Sequence, residues 1–110
     1  MKATILITGE NKENYLIDTI SSCLNQNYRN YEIILLFSKL KNLNLLQKKF
    51  KKKIIFKQIK RKKNPVQDQL YKISVGIKIA NGMFIFLLDG DDLFKKNKLK
   101  QIISHKKKNK

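Results

Sequence analysis

Met83-Phe84-Ile85-Phe86-Leu87-Leu88-Asp89-Gly90-Asp91-Asp92 is the stretch on which the fold turns. Six apolar residues run without a break into three carboxylates that lie within four positions. An apolar run of this length, bounded by turn residues, predicts a buried strand of the kind found in parallel sheets. Gly90 lets the backbone turn sharply where the strand ends. Carboxylates crowded in this way repel one another unless a cation or hydrogen-bond donors relieve them. Hard oxygen ligands suit Mg²⁺ or Mn²⁺, and such a metal usually carries a phosphate-bearing substrate. One aspartate here would read as a turn with a helix cap. Three, after a buried strand, point to a metal or phosphate site.

The rest of the chain makes the cluster stand out. It has 110 residues, 25 lysines and arginines against 8 acids, and a formal net charge of +17. That length suits one small domain, and 42% hydrophobic residues supply a core. No apolar run approaches the roughly 20 residues that span a bilayer. Met1 to Thr8 is too short in apolar residues for a signal peptide and reads as a first strand. The single cysteine, Cys23, excludes an internal disulfide and a cysteine-rich zinc site, and reads as a small buried hydrophobe. The single histidine, His105, lies in a lysine-rich tail, which argues against histidine catalysis. These features together point to the cytoplasm. A field of this sign suits polyanions, nucleotides or an anionic membrane surface. Only Arg29 and Arg61 are arginines, however, and phosphate and base recognition favour the guanidinium. Most of the charge therefore reads as solvated surface.

Outward from the acidic strand, apolar runs alternate with amphipathic stretches. Residues 3–8 form a first strand, with Asn11 after it as a helix cap. Leu16, Ile17, Ile20, Cys23 and Leu24 recur at helical spacing between Glu13 and Gln26. Glu32 to Phe37 is a second strand, residues 43–52 a short helix, and Ile54 to Ile59 a third strand. Asn64-Pro65 opens a helix, with Asn as cap and Pro at its first position. Val66, Leu70, Ile73, Ile77 and Ala80 give that helix one apolar face, and Gly82 ends it. Asp92 is expected to cap a last helix from about Lys95, and Lys106 to Lys110 to fray as a basic tail after a domain of residues 1–105. The fold class is α/β: a Rossmann-like, mainly parallel sheet of about four strands with helices on both faces. Ile5, Ile34, Ile55 and Phe86 are expected inside it. Ligands of such sheets bind at the carboxyl ends of strands. Here those ends are Thr8 to Asn11, Phe37 to Lys39, Lys60 to Asn64, and Asp89 to Asp92. Neither the dinucleotide fingerprint nor the phosphate loop occurs.

At this point the pattern resembles the N-terminal, donor-binding half of a family 2 glycosyltransferase of the GT-A fold. Three segments carry the likeness. Asn11-Lys12-Glu13-Asn14-Tyr15-Leu16, with Thr19 to Tyr28 and Tyr31-Glu32-Ile33-Ile34, is similar to the family's first helix and second strand. Gly76-Ile77-Lys78-Ile79-Ala80-Asn81-Gly82 is similar to the helix before the fourth strand. Phe84 to Asp92 resembles that strand and its Asp-x-Asp motif. The resemblance implies a nucleoside-diphosphate sugar as donor, a UDP-sugar in the first instance, and Mn²⁺ or Mg²⁺ as cofactor. It gives Asp91 the metal. Asp89 would contact the ribose or support the metal through water. Asp92 would assist, or only cap the last helix. Asn11 matches the family's opening motif and joins the nucleotide-sugar site.

The departures carry expectations too. The family's opening Pro-Thr-Tyr-Asn is Thr8-Gly9-Glu10-Asn11 here. The aspartate pair that follows its second strand is replaced by Phe37 and Ser38, and the Arg-Asn pair before Gly76 by Ile73 and Ser74. Lys39, Asn64, Gln67 or Asp68 are the residues left to supply substitute contacts to the base. The family's acceptor site and base come later than Asp92, so the sequence predicts a truncated domain or fragment that binds donor rather than turning it over. A noncatalytic nucleotide-binding or interaction module is the alternative, and a basic nucleic-acid-binding protein the third reading. The third predicts arginines and aromatics on a shared surface, whereas most aromatics here fall within apolar patterns. Self-association through an uncovered sheet edge, and peripheral contact with the inner face of an anionic membrane, complete the expected partners.

Overall fold

In a computed structural model the chain is described over residues 1–9, 13–50 and 53–108, the side chains of 106–108 aside. Strand β1 is Ala3–Thr8, followed by a 3-10 turn at Glu13–Tyr15 and helix α1 at Leu16–Leu24. Strand β2 is Tyr31–Phe37, helix α2 Leu43–Phe50 and strand β3 Ile55–Gln58. Helix α3 is Pro65–Ile79, strand β4 Phe84–Asp89 and helix α4 Lys98–Lys108. The four strands form one sheet in the order β3-β2-β1-β4. Every neighbouring pair is parallel, with Ile5 level with Ile33 on one side and Phe86 on the other. This is the α/β sheet with helices that the sequence predicts. No described helix is long and apolar enough to cross a membrane.

Strand alternation divides the core into two layers. Ala3, Ile5 and Ile7 of β1, with Ile33, Leu35 and Phe37 of β2, face Leu16, Ile20 and Cys23 of α1. Leu46 and Phe50 of α2 and Leu99 and Ile103 of α4 complete that layer. Leu6, Ile34 and Leu36 point the other way, against Ile59, Val75 and Ala80. Covered on both faces, β1 and β2 bury almost every residue, which is why they read as unbroken apolar runs.

Several expectations are corrected. The strand that opened the reading is an edge strand, not a doubly covered one. Phe84, Phe86 and Leu88 are half-buried, while Ile85 and Leu87 face outward. Ile55, expected inside, is 44% exposed on the other edge strand. Helix α3 is turned from the predicted face, of which only Ile73 and Ala80 stay partly buried. Val66, Leu70 and Ile77 are exposed, and Asp68, Lys72 and Gly76 are buried. Asp68 and Lys72 each follow an expected position, Val66 and Leu70, by two residues, about 200° around a helix of 3.6 residues per turn, while Gly76 directly precedes Ile77. Gly76 allows this rotation: a Cβ there would stand 2.8 Å from Leu36 Cδ1 and 3.0 Å from Leu6 Cδ1. Asp68 and Lys72 accept burial because they neutralise each other.

Helix ends differ as well. Asn64 caps α3 as predicted, its side-chain oxygen accepting from the N–H groups of Val66 and Gln67. Helix α3 stops at Ile79, three residues before Gly82. Helix α4 begins at Lys98, too far on for Asp92 to cap it. Gln26 serves that start instead, accepting from the Leu99 N–H at 3.2 Å and donating to the Lys95 carbonyl at 2.7 Å. The helix continues to Lys108, into the stretch read as a tail.

Candidate functional site

The carboxyl ends of all four strands lie along one margin of the sheet, because the strands are parallel. At β4 that margin is held from two sides. The Gly90 N–H donates to the Thr8 carbonyl at 2.9 Å, and the buried Thr19 hydroxyl donates to the Gly90 carbonyl at 2.8 Å. The Asp92 N–H returns to the Asp89 carbonyl at 3.0 Å and closes a turn. The peptide between the acids is thus fixed to β1 and α1, while Asp89, Asp91 and Asp92 remain exposed. One carboxylate oxygen from each lies within 4.8 Å of the others. The Thr8 hydroxyl and the Gln69 amide each stand 3.4 Å from Asp89 Oδ1, a loose contact at most. The sequence therefore located this cluster, and the structure brings all three of its acids together. A divalent cation takes oxygen ligands at about 2.0–2.6 Å, so side chains this close and this exposed suit Mg²⁺ or Mn²⁺ chemically.

Basic groups gather at the other ends. A cavity of about 450 Å³ is lined by Glu13, Tyr15, Lys39, Asn42 and Arg61, among others. A second, of about 480 Å³, is lined by Ser38, Lys39, Gln58, Ile59, Lys60 and Arg61. Lys39 and Arg61 border both. Glu13 is committed to the fold, its carboxylate accepting from the N–H groups of Lys41 and Asn42 at 2.6 and 2.7 Å. The Ser38 hydroxyl donates to the Ile59 carbonyl at 2.7 Å and ties the β2 and β3 ends together. Strand β1 separates β2 from β4, so their ends stand about 10 Å apart at roughly 4.8 Å per strand. The margin thus carries cations at one end and carboxylates at the other.

Of the residues expected to supply base contacts, only Lys39 lines these cavities. Asn64 is occupied as the α3 cap. Asp68 is buried, and its carboxylate accepts from the Lys62 N–H at 2.8 Å as well as from Lys72. Burial alone would raise the Asp68 pKa; the Lys72 and Lys62 hydrogen bonds outweigh it and hold the carboxyl below its ordinary value. Gln67 is exposed on α3. Asn11 lies outside the described residues. His105 is exposed on α4, remote in sequence from every strand end. Sequence reasoning did not single out Arg61, which lines both cavities. Its signal was available: it is one of two arginines, and it lies in the loop that leaves β3.

The sequence profile of Glycosyl transferase family 2 matches residues 4–110. An uncharacterized glycosyltransferase of Rickettsia bellii is 35% identical over 100 residues, covering 89% of this chain and 14% of that protein. The poly(ribitol-phosphate) beta-N-acetylglucosaminyltransferase TarP of Staphylococcus aureus is 31% identical over 114 residues, covering 98% and 34%. The crystal structure of S. aureus TarS 1–349 in complex with UDP superposes with a TM-score of 0.79. It is 21% identical and covers 98% of this chain and 32% of that one. TarS 1–349 in complex with UDP-GlcNAc superposes with a TM-score of 0.77. The chain therefore spans 14–34% of the length of these relatives.

Proposed function

Because the chain belongs to glycosyl transferase family 2, we propose that it holds a nucleoside-diphosphate sugar, a UDP-sugar in the first instance, along the carboxyl margin of its sheet. The observation that carries this reading is the close, exposed set of Asp89, Asp91 and Asp92 beside a basic cleft. Asp91 holds Mn²⁺ or Mg²⁺, supported by Asp89 directly or through water, and Asp92 completes the acidic set. Bound there, the cation supplies charge neutralisation for a diphosphate leaving group. Lys39 and Arg61 attract the nucleotide from the β2 and β3 ends. Thr19 and Thr8 hold the Gly90 peptide so that the carboxylates keep their spacing. TarS is a fold neighbour that carries UDP and UDP-GlcNAc in its solved complexes, which supports this class of ligand.

In this reading the chain supplies the donor half of a glycosyl transfer, and no described residue is assigned as the acceptor's base. The same positive field favours peripheral contact with an anionic membrane surface. Titration calorimetry with UDP, with and without Mn²⁺, tests the donor site. Losing one charged ligand interaction costs on the order of 1.5–3 kcal/mol. Asp91→Asn should therefore remove most of the metal-dependent gain. Equal enhancement by Mn²⁺ in the wild type and in Asp91→Asn would reduce the cluster to a turn.

A further inference from the structure

Asp68 and Lys72, 5% and 1% exposed, are the charged residues that the described core encloses. Packing alone does not account for them, since an apolar pair of similar volume is often as stable in such a place or more so. What an apolar pair lacks is an acceptor. Lys72 occupies Asp68 Oδ2, and Asp68 Oδ1 accepts from the Lys62 N–H at 2.8 Å. Lys62 itself is exposed, in the loop between β3 and α3. A buried carboxylate thus holds the backbone of a surface loop.

That loop is pinned on both sides of Arg61. Before it, the Ile59 N–H donates to the Phe37 carbonyl at 2.8 Å, and the Ile59 carbonyl accepts from the Ser38 hydroxyl at 2.7 Å. The Ile59 side chain is buried with Leu6, Ile34 and Leu36. After Arg61, Lys62 is held by Asp68, and its ammonium stands 4.4 Å from the centre of the Tyr71 ring on α3, a cation–π contact. Asn64 then caps the helix. Lys60 and Arg61 alone lie between the two anchors, and Arg61 borders both basic cavities. Burial raises the Asp68 pKa, while Lys72, Lys62 and then the Arg61 charge lower it, so Arg61 lies within electrostatic reach of the clasp.

We propose that Asp68, braced by Lys72, is a positioning residue for the candidate donor site: it clasps Lys62 and so presents Arg61 to the anionic groups of the nucleotide. This rests on the donor reading above. Asp68 touches no ligand in it and acts through Arg61. A guanidinium recognises phosphate through a fork of fixed geometry, so its direction matters more than its charge alone. With the backbone fixed on both sides, binding has only the Arg61 side chain left to order, which lowers the entropic cost. Lys72 neutralises the carboxylate and keeps the clasp compatible with burial.

Two double variants separate the clasp from the charge. Each removes one acid and one base, so the net field on an anion is unchanged. Asp68→Asn with Lys72→Gln keeps a hydrogen-bonded pair and an acceptor for the Lys62 N–H. Asp68→Leu with Lys72→Met fills the site without an acceptor. Titration calorimetry with UDP in the absence of metal reads the consequence. The apolar variant should bind about tenfold more weakly than the wild type, the lower end for losing a charged contact. The amide variant should bind close to the wild type, and the added effect of Mn²⁺ should be preserved in both. Arg61→Gln should then cost little in the apolar background and its full effect in the amide background. Equal UDP affinity in the two double variants, or an Arg61→Gln effect of the same size in both, would overturn the proposal.

Hydrogen exchange of the wild type needs no variant to fold. The Lys62 amide should be protected although the residue is exposed, and rapid exchange there would overturn the clasp. A wild type that binds no UDP, with or without Mn²⁺, would overturn the donor reading and with it the role toward a nucleotide. A donor site that binds UDP while the two double variants bind alike would overturn the positioning role alone.

Discussion

Lys72 Nζ lies 2.5 Å from Asp68 Oδ2, with both side chains buried on the face of α3 that meets the sheet. A helix that turns an ion pair inward and Val66, Leu70 and Ile77 outward has not simply maximised apolar burial. The pair fixes the rotation, and it also fixes the loop after β3 through the Lys62 N–H bond to Asp68 Oδ1. Removing one partner of such a pair strands a buried charge at a cost of about 3–5 kcal/mol. Lys72→Met and Asp68→Asn should each be strongly destabilising in urea unfolding, and the double variant milder than the sum of the two. Additive single effects would mean that the two groups act independently.

Acid should reveal the same pair. Asp68 and Glu32 both titrate below their ordinary values. For Glu32, burial opposes this, and the Thr4 hydroxyl, the Asn81 N–H and the Lys2 ammonium outweigh it. A depressed folded pKa contributes stability that is present above the unfolded value, near 4. That stability is lost as pH falls through the folded value. Melting temperature should therefore hold from neutral pH down to about 5 and then decline. Glu32→Gln should start lower and show a shallower decline, because one linked proton has been removed. Parallel curves for the two proteins would exclude Glu32 from the linkage.

Cys23 supplies a contrasting case. Burial pushes its thiol up to about 12, against a weaker opposing contact with Ser22. The raised value means that stability is full below the unfolded pKa of about 8.5 and is lost as pH rises toward the folded one. At neutral pH the thiol is protonated and enclosed among Leu16, Ile20 and their neighbours. A thiol-specific disulfide reagent should modify Cys23 only at the rate of opening, and immediately in denaturant. Rapid modification of the folded chain would place Cys23 at the surface.

What the sequence made legible follows from what each residue answers to. Strands β1 and β2 are mostly apolar because both their faces are covered, so their apolar runs located them. The acidic cluster was legible because three carboxylates within four positions stand out in a basic chain, and the structure holds them close together and exposed. Strand β4 and helix α3 were misread for one shared reason. Ile85, Leu87, Leu70 and Ile77 are apolar yet substantially exposed, and periodicity cannot distinguish a core face from an exposed apolar one. Asp68, Lys72 and Gly76 hid the true packing face of α3, because a neutralised pair and a glycine carry no hydrophobic signal.

Gly82 illustrates the same limit and yields its own prediction. It reads as a helix stop, but its position is set by contact. A Cβ there would stand 2.4 Å from Thr4 Oγ1 and 2.6 Å from the Thr4 nitrogen. Thr4 cannot withdraw, since it is buried in β1 and its hydroxyl both accepts from the Gly82 N–H and donates to Glu32. Gly82→Ala should cost about 1–3 kcal/mol, the range for overpacking a filled site. A midpoint unchanged in urea would show that the β4 entry can shift freely.

The two ends of the candidate site should fail separately. In the proposed donor site Lys39 and Arg61 would act on UDP through charge without a metal, whereas the carboxylates would act only through the cation. Arg61→Gln and Lys39→Gln should therefore weaken UDP binding measured without Mn²⁺, by up to about 1.5–3 kcal/mol for a direct charged contact. The enhancement added by Mn²⁺ should be preserved in both. Asp91→Asn should show the opposite pattern, with metal-free binding intact or slightly stronger because a repelling charge has been removed. Any lysine lost from so basic a chain weakens its general pull on an anion. Lys48→Gln, exposed on α2, controls for this. The expected effect there is small and vanishes as salt rises, while that of a contacting Arg61 persists. If Lys48→Gln and Arg61→Gln weaken UDP binding equally at every salt concentration, the basic cleft contributes field alone and the nucleotide lies elsewhere.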